Sequence, residues 1–248
     1  SKKLASGADA IVLDVKCGSG AFMKNYEDAY ALAEEMAKIG NGAGKMTKAF
    51  ITNMDQPLGR NVGNALEVKE AILTLQGKGP EDFTELCMTL GAAMAVCAGV
   101  AEDEEGARRL LEESIRSGKA LNKLAEFVSL QGGDSRAVYD TSLLPKSGHR
   151  IEAAAPQDGY ISHMDCQEIG ICSLMLGGGR ETKESRIDLS VGLELCKKTG
   201  DYVKKGECLA YLHYTYDTKV EAAREKILKA YTVSGQKPED KKIILGKI

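Results

Sequence analysis

The sequence predicts an α/β fold: a mixed, mainly parallel sheet flanked by helices, followed by a small α+β domain of barrel-sandwich type. Three observations point there. Residues 10–15 (AIVLDV) form a short apolar run that leads into a glycine turn and then an amphipathic helix. A second apolar run, residues 48–54, follows that helix, giving the strand–helix–strand order of parallel sheets. Beyond residue 150 the pattern changes to short strands separated by tight polar turns, as in an antiparallel or barrel-like unit.

The elements follow in order. Leu4 and Ala5, flanked by lysines and closed by Gly7, read as the last turn of a helix. Seven residues alone make a marginal helix in water, so the body of this one is expected upstream of Ser1; a natural start with a frayed turn is the other reading. Asp14, Lys16, Gly18, Gly20 and Phe22 then crowd the tip of the first strand, which is where α/β proteins bind ligands. Such a turn can also leave backbone N–H groups bare at the following helix start. Asn25 is the expected N-cap of that helix, with Asp28 at the capping-box position. Residues 26–40 carry apolar side chains at 29, 32, 33, 36 and 39, and Gly40, Asn41 and Gly42 are expected to stop the helix. After the second strand comes the loop DQPLGRNVGNA, with Pro57, Gly59 and Gly63, and then a helix over about 65–75. Helical periodicity continues over 81–100, 102–117 and 119–130. Residues 132–150 read as a connection. The runs RIEAAAP, GYISHM, RIDLSVGLEL and GECLAYLHY read as strands, and a helix over 220–230 and a strand over 242–245 end the chain. The expected domains are therefore 1–8, the tail of a helix; 9–135, an α/β domain; and 136–248, the smaller α+β domain.

Composition limits the function. The 248 residues are 43% hydrophobic and 28% charged, enough to bury a core, and the net charge of −3 gives no electrostatic case for nucleic acid or an anionic membrane. Aromatics are 5% with no Trp, which argues against base-stacking surfaces. The longest apolar candidate, residues 90–100, is about half the roughly 20 residues a membrane span needs. Seven cysteines without a CxxC pair read as reduced thiols in a cytoplasmic protein, used as small core residues.

Several local patterns could carry chemistry. KCGSGAF is not a dinucleotide fingerprint, because Met23 stands where a small residue is needed, and no GK[ST] makes it a Walker loop. What remains is a turn that lets the backbone approach a ligand, with Phe22 either stacked on a flat ring or placed in the core. In residues 54–71 (MDQPLGRNVGNALEVKEA), loop carbonyls and a carboxylate suit a hard cation, or Glu67 and Glu70 are simply solvated helix residues. No Ser/His/Asp arrangement and no GxSxG is visible, and His149, His163 and His213 lie far in sequence from the glycine turn. The run 200–212 resembles the hairpin of biotinyl and lipoyl carrier domains but lacks their exposed lysine beside Met.

Taken together, residues 1–24 (SKKLASGADAIVLDVKCGSGAFMK), residues 54–71, APQDGYI and LGGGRETKESRIDLSVGLEL resemble the pyrimidine-nucleoside phosphorylase family, with thymidine phosphorylase as a close sibling. The resemblance implies reversible phosphorolysis of uridine, thymidine or deoxyuridine to free base and (deoxy)ribose 1-phosphate, with phosphate as co-substrate. It implies that Lys2 contacts the pyrimidine and acts in catalysis, with Lys3 its neighbour, and that Phe22 lines the base pocket. It also implies a potassium ion held by the backbone carbonyls of Leu58 and Asn61 and the carboxylate of Glu70, and a cytoplasmic homodimer. The family's phosphate loop and helical dimerisation domain have no counterpart in these residues, so the chain is expected to be a C-terminal portion and inactive alone. The alternative is a folded fragment that binds pyrimidine weakly or not at all. Phosphoribosyl transfer to an aromatic amine would need an acidic magnesium–pyrophosphate site, for which the sequence offers no candidate.

Overall fold

The computed structural model describes residues 2–240 and 242–248. Ser1, the first residue of the expected helix tail, lies outside them. In chain order the elements begin α1 (Lys2–Ala5), β1 (Ala10–Cys17), α2 (Tyr26–Gly42), β2 (Met46–Asn53), β3 (Asn61–Val62), α3 (Asn64–Leu75), α4 (Glu81–Cys97), α5 (Glu104–Arg116), α6 (Lys119–Leu130) and α7 (Arg136–Tyr139). They continue β4 (His149–Ala154), β5 (Gly159–Met164), α8 (Cys166–Ser173), β6 (Gly192–Leu195), β7 (Tyr202–Val203), β8 (Cys208–Tyr214), α9 (Val220–Ala230), β9 (Tyr231–Ser234) and β10 (Ile244–Lys247). The described backbone groups into two compact units that interleave along the chain: 2–54, 81–120 and 242–248 in one, 55–80 and 121–240 in the other.

The first unit is built on a three-stranded sheet of order β1–β2–β10, with β1 parallel to β2 and β10 antiparallel to β2. Strict alternation in β1 buries Ile11, Leu13, Val15 and Cys17 against Ala29 and Ala33 of α2, while Asp14 and Lys16 point the other way. The alanine face of α2 keeps the helix close to the sheet. Asn25 starts that helix as expected: its side-chain oxygen accepts from the Asp28 N–H at 2.9 Å, and its amide donates to the Asp28 carboxylate at 2.9 Å. Asn25→Ala is expected to cost about 1 kcal/mol in urea denaturation, the usual loss for an N-cap. The helix runs beyond the 26–40 stripe to Gly42, the last of the three residues expected to stop it, and left-handed Gly44 (φ 73°) follows it.

The second unit holds two antiparallel sheets, β3–β6–β8–β4 and β7–β5–β9. Ile161, Met164, Leu193, Leu195, Leu212 and Ile227 lie in one core cluster that both sheets share with α8 and α9. β3 and β6 meet at two glycines: a Cβ on Gly63 would lie 2.5 Å from the Val191 carbonyl oxygen, and one on Gly192 2.3 Å from that of Val62. The close approach of these two strands therefore requires glycine at both positions. Residues 132–150 are more ordered than a plain connection, containing α7 and a 3₁₀ turn at Thr141–Leu143. RIDLSVGLEL is strand only over its last four residues. Among the described residues all seven cysteines are free thiols; Cys17, Cys166 and Cys172 are buried as expected of core residues, whereas Cys87 is exposed.

Candidate functional site

At the tip of β1 the sheet brings together side chains distant in sequence. Thr52 on β2 donates to the Asp14 carboxylate at 2.5 Å, and the Lys16 ammonium pairs with the other carboxylate oxygen at 2.7 Å. The parallel register sets Lys16 directly opposite Thr52. Thr52 is fully buried, so its hydroxyl needs this partner. Cys87 of α4, an exposed residue overall, lies within electrostatic reach of both charges, and partial desolvation of its sulfur pushes the thiol pKa up, so it is a neutral neighbour. Asp14 and Lys16 were legible as an acid–base pair, whereas Thr52 and Cys87 were not.

The glycine turn closes on itself. Gly18 N–H donates to the Met23 carbonyl and Gly20 N–H to the Met54 carbonyl, both at 3.0 Å, and Lys24 Nζ holds the Ser19 carbonyl at 2.8 Å. These turn amides, and the Asp28 N–H capped by Asn25, are bonded within the protein. The turn instead projects Phe22, whose ring is 99% exposed, which rules out a core role. Lys2 lies on α1, ahead of β1, and is also exposed. Phe22 follows the far end of β1, an eight-residue strand spanning roughly 25 Å. Among the described residues, no hydrogen bond or ion pair engages Lys2.

In the second unit the loop before α3 is organised around two buried charges. Glu70 is 6% exposed; its Oε1 accepts from the Arg60 backbone N–H at 3.0 Å and from the Asn61 side-chain amide at 2.7 Å. Gly59 is left-handed (φ 69°), and a Cβ there would lie 2.1 Å from Glu70 Oε2, so the loop can lie on the carboxylate only with glycine at this position. Lys198, 9% exposed, donates to the carbonyls of Pro57 at 2.5 Å and Gly59 at 2.7 Å. The loop thus turns the Pro57 and Gly59 carbonyls onto the Lys198 ammonium, close to a buried carboxylate. The reading of Glu70 as a solvated helix residue is corrected: its carboxylate is buried and hydrogen-bonded. Glu67 is exposed and accepts from the Gly63 N–H at 3.0 Å, a reach-back that supports the start of α3. Leu58 lies between the two residues whose carbonyls Lys198 holds. Among the described residues no group of three or more His, Cys, Asp or Glu could hold a metal, and no helix is long and apolar enough to cross a membrane.

Comparison of the sequence with known proteins shows its family. Residues 1–121 match a family described as "Glycosyl transferase family, a/b domain", and residues 160–234 match "Pyrimidine nucleoside phosphorylase C-terminal domain". A pyrimidine-nucleoside phosphorylase of Staphylococcus haemolyticus is 57% identical over 213 residues, covering 86% of this chain and 49% of that protein. One from Geobacillus stearothermophilus is 49% identical over 248 residues, all of this chain and 57% of that protein. One from Staphylococcus epidermidis is 54% identical over 213 residues, again 86% of this chain and 49% of that protein. The chain therefore spans about half the length of the curated relatives it matches, and it belongs to the pyrimidine-nucleoside phosphorylase family.

Proposed function

We propose that within a whole protein this chain takes part in the reversible phosphorolysis of pyrimidine nucleosides. Inorganic phosphate attacks C1′ of uridine, thymidine or deoxyuridine. The C1′–N1 bond breaks as the C1′–O bond forms, the electron pair leaves with the pyrimidine, and (deoxy)ribose 1-phosphate and the base, protonated on release, are the products. The barrier lies in negative charge growing on the base and positive charge on the sugar, so a cation fixed beside the leaving ring lowers it. The family resemblance assigns Lys2 that role and Phe22 the wall against the ring; in this chain β1 lies between the two, so each assignment stands on its own test, and phosphate is assigned to residues outside this chain. The observation that carries the reading is the fully exposed Phe22 ring at the tip of the first parallel strand, in a chain about half identical to named pyrimidine-nucleoside phosphorylases. The acting enzyme is taken to be a cytoplasmic homodimer.

Mixing uridine and phosphate with the whole protein should release uracil, read by the fall in ultraviolet absorbance; no release overturns the reading. The chain by itself should give no turnover, because it offers only the base side of the reaction. Turnover by the chain at the level of the whole protein contradicts that division.

A potassium ion belongs to the same proposal. The carbonyls of Leu58 and Asn61 and the carboxylate of Glu70 would hold it, and when bound it supplies fixed positive charge that pins the loop. Replacing choline chloride by potassium chloride at equal ionic strength should raise the melting temperature by a few degrees, and Glu70→Gln should abolish the rise. An equal rise in Glu70→Gln removes Glu70 from the ion site.

A further inference from the structure

A cleft of about 490 Å3 opens in the second unit between the first turns of α3, the segment leading into β4, and the paired ends of β4 and β8. Its size is that of small-molecule sites. Lys69, Lys146 and Arg150 converge on it, together with His149 and His213. Among the described residues none of these three permanent cations is in an ion pair; Arg150 lies over the Tyr211 ring at 3.9 Å. The carboxylate that lines the cleft, Asp140, accepts from the Ser142 N–H at 2.9 Å and lies within electrostatic reach of Lys146.

The floor repeats the pattern. Arg150 and His213 are opposite partners in the β4–β8 ladder, which fixes them side by side. His213 Nε2 is buried without a hydrogen-bond partner and approaches Glu194 at 3.5 Å, while its Nδ1 lies 3.5 Å from the Ser147 hydroxyl. Burial, reinforced by Arg150 and Lys69, holds this imidazole below the usual histidine pKa against the pull of Glu194, so the charge facing the cleft comes from the lysines and the arginine. The three exposed cations outnumber the one carboxylate lining the cleft, so an anion entering it meets net positive charge. Hydroxyls of Thr141, Ser142 and Ser147 line the same wall and suit a hydroxylated body. None of these residues has a role in the phosphorolysis reading above.

We propose that this cleft binds a small phosphorylated polyol, its phosphomonoester held by Lys69, Lys146 and Arg150 and its hydroxyl groups by the serine and threonine wall. The chain has three histidines, of which His149 and His213 line the cleft and His163 lies on β5 away from it. That gives an internal control for an imidazole NMR titration of the chain with ribose 5-phosphate. The His149 and His213 signals should move saturably in the millimolar range while His163 stays fixed, with ribose, inorganic phosphate and sulfate at matched ionic strength binding at least tenfold more weakly. K69M/K146M should weaken ribose 5-phosphate binding by about tenfold or more, and K146M alone serves if the double variant is unstable. Non-saturating shifts, movement of all three signals, equal binding of sulfate or inorganic phosphate, or an unchanged affinity in the variants each overturn the proposal.

Discussion

Replacing Lys2 by alanine in the whole protein should lower kcat/KM for uridine phosphorolysis by about 10²- to 10³-fold, the loss typical of removing one fixed donor from a developing anion. The side chain is exposed in this chain and takes no part in the buried core around β1, so thermal stability should stay within about 0.5 kcal/mol of wild type. A loss confined to KM would assign Lys2 to ground-state binding instead. Wild-type kinetics would remove it from the site.

The second large effect concerns stability. Lys198→Met should destabilise the second unit by roughly 3 kcal/mol or more. The substitution keeps the apolar stem but leaves the Pro57 and Gly59 carbonyls without their ammonium donor, each at roughly 1–3 kcal/mol. Urea denaturation measures the loss, and hydrogen exchange should show faster opening at residues 56–62. A variant as stable as wild type would mean that the ammonium does not hold the loop.

What the sequence made legible was local. The apolar run of residues 10–15 and the apolar stripe of 26–40 identified β1 and α2 because each buries one face against the other, and Asn25 could be read as a cap because capping acts over three residues. α8 was not read, although Asp165 caps it by accepting from the Glu168 N–H at 3.0 Å. Gly170 and two cysteines blur its stripe, and it passes directly into a π turn over Leu174–Gly178. The candidate site divides the same way. Asp14, Lys16 and Phe22 are close neighbours in one strand–turn segment and stood out together. Thr52 reaches Asp14 across 38 residues and Lys198 reaches Gly59 across 139, so both partnerships depend on tertiary pairing that no local pattern encodes. The same is true of the glycine pair 63 and 192, whose closeness follows from β3 lying on β6.

Leaving-group dependence tests directly whether Lys2 carries the charge of the departing base. Uridine and 5-fluorouridine differ in how readily the base bears negative charge, because fluorine acidifies the ring. With Lys2 in place, part of that charge is neutralised, so the two substrates should react at similar rates. In Lys2→Ala the uridine reaction should fall by about 10²- to 10³-fold and the 5-fluorouridine reaction by markedly less, because the fluorinated ring needs the cation less. Equal losses for both substrates would contradict the assignment.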